Sequence, residues 1–291
     1  MLTGATGFVG RQALTALAEA GHEVHAVARR RGTDAPGVSW HEADLLAGVE
    51  VVNEVRPEVL VHLAWYAQHG RFWTSIENLR WVEASLGLLR AFSAGDGRRA
   101  VIAGSCAEYE WSGDVYRETA PTRPTTLYGA SKHGLATIAA AFAEQVGLSL
   151  AWGRLFFLYG PHEAPERFVP TLVRALLRGE TAAMTDGAQR RDFLHVTDAG
   201  RAFAALADSS LTGAVNIASG EGLVLADLAR RIASLTGGVE LLAIGALPQR
   251  ENEPPCLVAD ASRLRQELGW RPRIGLDDGL RDTVAWWRER L

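Results

Sequence analysis

Short apolar runs alternate with longer amphipathic stretches through the first half of the chain. Residues 24–28, 59–63 and 100–104 read as strands, and residues 8–20 and 72–94 as helices with one apolar face. The run Val59-Leu60-Val61-His62-Leu63-Ala64 does not alternate apolar with polar, which fits a strand buried on both faces. Strands alternating with helices imply βαβ units and a parallel sheet. Right-handed crossovers then give an α/β, doubly wound parallel sheet that takes ligands beyond the carboxyl ends of its strands.

After about Leu155 the rhythm breaks at Pro161, Pro165 and Pro170, and a proline-rich segment recurs at 248–255. Shorter elements follow, ending in a predicted helix over 276–290. The expected division is a first domain over 1–157, with 191–210 (a strand, then a helix) packing back on it. A smaller α/β lobe then comprises 158–190 and 211–291.

Composition narrows the class. With 291 residues and 47% hydrophobic content, the chain is long enough for a large domain or two modest ones. A formal charge of −4 and no basic stripe leave no footprint for nucleic acid. The two cysteines, Cys106 and Cys256, lie outside any metal spacing and fit a reducing compartment. No metal ligand set is expected. No uncharged apolar run reaches membrane-spanning length, and a glycine motif at the third residue leaves no room for a signal peptide. The cytoplasm is the expected location. Only Met1-Leu2-Thr3 remain to form the strand that should precede that motif. Either native residues precede Met1 or the central strand is unusually short.

The motif itself is Thr3-Gly4-Ala5-Thr6-Gly7-Phe8-Val9-Gly10, T-G-x-x-G-x-x-G between a strand remnant and an amphipathic helix. Gly4, Gly7 and Gly10 let the chain turn tightly and let backbone N–H groups approach a pyrophosphate at the helix N-terminus. This is a Rossmann dinucleotide turn. At the end of the second strand an acidic residue would bind the ribose 2′-hydroxyl of NAD. Here Ala28 is followed by Arg29, Arg30 and Arg31, which suit a 2′-phosphate. NADP(H) is therefore favoured over NAD(H). Asp44, after the third strand, is placed to meet the adenine amino group.

Tyr128 and Lys132, four residues apart on a predicted helix, share one face. A nearby ammonium is expected to lower the phenol's pKa towards working pH. Ser105, at a strand end, could hydrogen-bond the reacting oxygen while Tyr128 passes a proton and a nicotinamide passes hydride.

These motifs recur in order with 59–64, Gly104-Ser105 with Tyr109 four residues on, Tyr128-Gly-Ala-Ser-Lys132, 154–161 and Arg191-Asp192-Phe193. The chain resembles an extended short-chain dehydrogenase/reductase of the branch acting on nucleotide-activated sugars. The resemblance implies catalytic residues Ser105, Tyr128 and Lys132. It implies cofactor contacts from Gly4, Thr6, Gly7, Phe8, Val9, Arg29, Arg30, Asp44, Leu45, Leu63, Ala64, Tyr128 and Lys132. It also implies substrate contacts from Ser105, Cys106, Arg191 and Arg250, the two arginines gripping a sugar-nucleotide diphosphate. Relatives of this kind dimerise through a four-helix bundle, whose counterparts here are 72–94 and 127–146.

The reaction can be narrowed by residue. Nucleotide-sugar 4,6-dehydratases carry Asp-Glu directly after the catalytic Ser or Thr. This chain has Cys106 and Ala107 there, with Glu108 one step out of register. Enzymes that epimerise C3 and C5 use a Cys/His pair, but Cys106 is one position early and Arg167 occupies the histidine region. A 4-epimerase normally retains NAD, whereas the arginines after Ala28 suit exchangeable NADPH. Phe157 and Trp81 stand where many epimerases place asparagines. The segment from Trp65 to Trp73 could shape a deoxyhexose pocket. The expectation is NADPH-dependent reduction of the 4-keto group of a nucleoside-diphosphate 4-keto-6-deoxyhexose. The alternatives are a nucleotide-sugar 4-epimerase with bound NAD and a non-catalytic NADP-binding sensor.

Overall fold

A computed structural model describes residues 1–249 and 253–291. The first half folds as β1 (Leu2–Thr3), α1 (Phe8–Glu19), β2 (Val24–Ala28), β3 (Val38–Glu42), α2 (Glu50–Val55), β4 (Val59–His62), α3 (Glu77–Ala94), β5 (Arg99–Ser105), β6 (Val115–Tyr116) and α4 (Leu127–Val146). The second half adds β7 (Ser149–Leu155), β8 (Phe157–Tyr159), α5 (Phe168–Leu177), β9 (Ala182–Met184), β10 (Arg190–His195), α6 (Val196–Ala207) and β11 (Gly213–Ile217). It ends with β12 (Gly222–Val224), α7 (Leu225–Thr236), β13 (Leu242–Ile244), β14 (Cys256–Ala259) and α8 (Leu276–Arg288).

Seven strands form one all-parallel sheet in the order β11-β7-β5-β4-β1-β2-β3. The chain winds outward in both directions from β1. The order therefore reverses beside β1, and the crevice for ligands opens beyond the carboxyl ends of β1 and β4. The fold is Rossmann-like α/β. β1 is two residues long, yet it is paired on both sides, Leu2 with Ala26 and Val61 and Thr3 with Val27 and His62. One face of the sheet packs Leu2, Val61 and Val101 against Ala13 and Leu17 of α1 and Phe203 of α6. The other packs Leu60 and Ile102 against Leu88 and Phe92 of α3 and Leu135 of α4. Burial on both faces is the reason the 59–64 run shows no alternation.

A second sheet runs β12-β10-β14-β6, with β8 also on β10, and α5, α7 and α8 share a separate core with it and with the β9–β13 pair. Two expected boundaries are corrected. Residues 213–217 form the edge strand of the main sheet beside β7, not part of the lobe, because α6 crosses back over the sheet and delivers them there. Residues 115–116, expected in the first domain, pair with β14 of the second sheet. The helix expected over 72–94 starts only at Glu77. Asn78 turns its amide back onto the carbonyls of Phe72 (2.7 Å) and Ser75 (2.9 Å), which holds 72–76 as a turn.

Candidate active site

The glycine turn is sterically determined. Gly4 has φ of +69°, and a Cβ there would lie 2.8 Å from the Ala64 amide nitrogen. A Cβ on Gly10 would lie 1.9 Å from the Gly4 carbonyl oxygen, inside any allowed contact. The turn feeds α1 with Gly7 as its cap, which offers no side chain to the first-turn amides of Phe8 and Val9. Such amides lack intrahelical partners and carry the positive end of the helix dipole. Thr6 is partly buried, and its carbonyl accepts from Arg11 at 2.9 Å. Leu63 and Ala64 leave β4 beside this turn, where the Ala64 amide lies 3.4 Å from the Thr3 hydroxyl. These features fit the diphosphate of a dinucleotide.

Further along the sheet edge, Arg29 and Arg30 follow β2 and are exposed, with no carboxylate partner among the described residues. Arg31 is instead paired with Asp34, and its amide approaches Glu42 at 3.4 Å. Asp44 folds back to accept the Leu46 amide at 3.1 Å, and Leu45 is buried in the core.

Ser105 ends β5, and Tyr128 and Lys132 lie in the opening turns of α4. Three contacts set that helix in place. Thr126 caps it by accepting the Gly129 amide (3.1 Å), and the Tyr128 amide donates to the Trp73 carbonyl (3.1 Å). Gly129 also abuts the turn after Ser105, since a Cβ there would lie 2.3 Å from the Ala107 carbonyl oxygen. The result is that the Tyr128 phenol lies close enough to the Ser105 hydroxyl to interact with it. Lys132 is buried, and its Nζ donates to the Ala103 carbonyl on β5 at 2.9 Å.

Burial dominates the electrostatics. It pushes the Tyr128 phenol up to about 12, with the Ser105 hydroxyl and the Arg167 charge pulling the other way. Burial also draws Lys132 down to about 7, opposed by Glu108. The expected lowering of Tyr128 is not seen: desolvation of the phenolate dominates, and the charge opposing it is that of Arg167 rather than Lys132. The phenol is held protonated.

Glu108, one step out of register for a dehydratase pair, is instead a structural partner of Ser105. It is wholly buried and accepts from the Ser105 amide (2.7 Å), the Trp152 indole (2.9 Å) and Arg154 Nε (2.8 Å). Ser105 and Glu108 form a reciprocal capping box, and S-x-x-E was the available signal. Arg154 also donates to the Glu118 carbonyl (3.0 Å) and lies over the Tyr109 ring. Cys106 is buried, and burial, then Glu108, pushes its thiol up to about 12. Arg191, close enough to Cys106 to oppose that shift, is buried and pairs with Glu253 at 3.0 Å. Arg250 lies outside the described residues. Phe72 and Trp73 meet the Tyr128 ring edge-on, with centroids 4.9 and 5.8 Å away, and Trp111 stands 6.1 Å beyond Trp73.

A profile of the NAD dependent epimerase/dehydratase family matches residues 1–218. The chain belongs to that family. Its similarity runs to enzymes of several reaction types. It is 31% identical over 175 residues to a dTDP-glucose 4,6-dehydratase of Actinoplanes sp., a match covering 60% of this chain. That match spans about half of the dehydratase, 54%. It is 27% identical over 302 residues to the UDP-glucose 4-epimerase of Corynebacterium glutamicum, covering 94% of this chain and 90% of the epimerase. Among solved structures it resembles MoeE5 in complex with UDP-glucuronic acid and NAD. There the identity is 32% and the TM-score 0.89, over 100% of this chain and 99% of MoeE5.

Proposed function

We propose that this enzyme reduces the 4-keto group of a nucleoside-diphosphate 4-keto-6-deoxyhexose with NADPH. The observation that carries this reading is the placing of Tyr128 and Lys132, one turn apart on α4, beside Ser105 at the carboxyl end of β5. A ketone reduction needs a proton donor at that point, and a neutral phenol within reach of the keto oxygen can be one.

When bound, the nicotinamide dinucleotide supplies the hydride that converts the keto carbon to an alcohol. The α1 N-terminus and the Gly4–Gly10 turn would hold its diphosphate, Leu63 and Ala64 would flank it, and Lys132 would bind the nicotinamide ribose. Ser105 would hydrogen-bond the keto oxygen, and Tyr128 would give that oxygen its phenolic proton. Arg191 would face the sugar-nucleotide diphosphate. Arg29 and Arg30, free of carboxylates, support a 2′-phosphate and hence NADPH. The aromatic wall of Phe72, Trp73 and Trp111 around Tyr128 suits an apolar C6 methyl group.

Dehydration is disfavoured, because Glu108 is spent on Ser105, Trp152 and Arg154 and faces no solvent. A second reading, 4-epimerisation with retained NAD, is favoured by the nearly full-length likeness to a 4-epimerase and to MoeE5 with NAD. Apolar side chains left exposed on the packed pair α3 and α4, Leu79 and Ile138 among them, support a homodimer built on those helices. Two buried free thiols suit the cytoplasm, and no described helix is long and apolar enough to cross a membrane.

One assay separates the readings. The purified chain is given NADPH with a nucleoside-diphosphate 4-keto-6-deoxyhexose, and separately UDP-glucose with no added cofactor. The reductase reading expects NADPH consumption matched by alcohol formation in the first. Formation of UDP-galactose in the second, with no NADPH loss in the first, replaces it with the epimerase. Tight NADPH binding with neither reaction would make the chain a sensor.

A further inference from the structure

We propose that Trp65 is a positioning residue for Lys132: its indole face, braced by Asn78 and Trp81, keeps the ammonium charged and seated on β5. Nothing else in the site does enough. Lys132 is the chain's single lysine. It is 3% exposed, and among the described residues it makes one hydrogen bond, to the Ala103 carbonyl. No carboxylate of the described residues lies within ion-pairing distance of it. Glu108 attracts it from further off, but that carboxylate is already committed to Arg154. His62, the charged-capable group facing it from β4, gives no help. His62 is bonded to Thr3 (2.7 Å) and Ser85 (2.9 Å), and burial with Lys132's own charge drives it down to about 3. Tyr128, one turn earlier on α4, is neutral.

What remains is the indole. Lys132 Nζ stands 3.6 Å from the centroid of the Trp65 ring, over its electron-rich face. The ring's angle is determined from behind. Its N–H donates to the Asn78 carbonyl oxygen at 2.9 Å, and the Asn78 amide is wholly buried and tied to Phe72 and Ser75. Trp81 lies against its side, with centroids 6.1 Å apart. Trp65 follows the end of β4 directly, so the brace joins that loop to the opening turns of α4. An ammonium suits the seat better than a guanidinium, being compact enough to serve one carbonyl and one ring face together.

The kinetic consequence rests on the reading of Tyr128 and Lys132 given above; the charge state does not. Because the chain has one lysine, labelling with ε-¹³C-lysine yields a single side-chain resonance, whose pH titration reports Lys132 directly in the full-length protein. Trp65→Leu keeps an apolar cover without the aromatic face, and Trp65→Phe keeps a weaker one. The expected result is a titration midpoint about one pH unit or more lower in Trp65→Leu. Trp65→Phe should recover part of that shift. The alkaline fall of NADPH turnover should move to lower pH in step with the resonance. Coincident midpoints in the wild-type, Phe and Leu proteins overturn the proposal. If the midpoints shift while no keto sugar is turned over even by the wild type, Trp65 retains its role and the reductase reading fails.

Discussion

Glu108 and Arg154 form a buried ion pair next to Ser105, and Glu108→Gln tests what that pair holds together. Glu108 is wholly buried and Arg154 is 6% exposed, so solvent screens neither. Glutamine can still accept from the Ser105 amide and the Trp152 indole, but it leaves the Arg154 guanidinium without its counter-charge. Removing one partner of a buried pair costs about 3–5 kcal/mol, chiefly because the other charge stays buried and uncompensated. At roughly 2–4 °C per kcal/mol, the melting temperature should fall by about 6–20 °C. A loss of about 3–5 kcal/mol is a large part of the ~5–15 kcal/mol typical of a folded chain. The double variant Glu108→Gln with Arg154→Met should recover much of the loss, since it removes the stranded charge. Urea and thermal unfolding followed by circular dichroism measure both. A single variant melting within about 2 °C of wild type would refute the claim that this pair is energetically coupled.

Two other predictions concern charge. Burial, against the opposing charge of Arg167, lifts Glu163 to about 8, so the folded chain keeps a proton that the unfolded chain releases near the ordinary carboxylate value. Stability should therefore decline as pH rises from about 4.5 to about 8, by up to ~1.4 kcal/mol per unit. Glu163→Gln should flatten that slope and gain most at pH 8, and urea midpoints at acid and alkaline pH check it; an unchanged slope contradicts it. Replacing Arg29 and Arg30 together by alanine should weaken NADPH by roughly tenfold or more while leaving NADH nearly unaltered. Calorimetric titration of both cofactors decides, and an equal loss for both would remove the NADP assignment.

The parts of the site most legible in the sequence were those imposed by local sterics. Gly4 and Gly10 admit no side chain, so their spacing reads directly as a turn. Helical spacing likewise put Tyr128 and Lys132 on one face, and α4 does carry both beside Ser105. What escaped depends on partners far apart in the chain. Glu108 looked like a misplaced acid because its function is set by Trp152 and Arg154, more than forty residues away. The direction of the Tyr128 shift was misjudged because pairing with Lys132 is local, whereas burial is a property of the whole fold. The late start of α3 was hidden because residues 72–76 share the apolar spacing of the helix. They depart from it only through the side-chain bonds of Asn78. Residues 213–217 looked like lobe because nothing local announces that α6 returns them to β7.

The most direct test of the account is isotopic. The enzyme is supplied with NADPH deuterated at the transferable C4 position and a nucleoside-diphosphate 4-keto-6-deoxyhexose, and the product is analysed by mass spectrometry and NMR. The account predicts a single deuterium on sugar C4 from the wild type, and none from Tyr128→Phe despite unimpaired NADPH binding. Deuterium-free product from the wild type, or equal labelling by Tyr128→Phe, would contradict it.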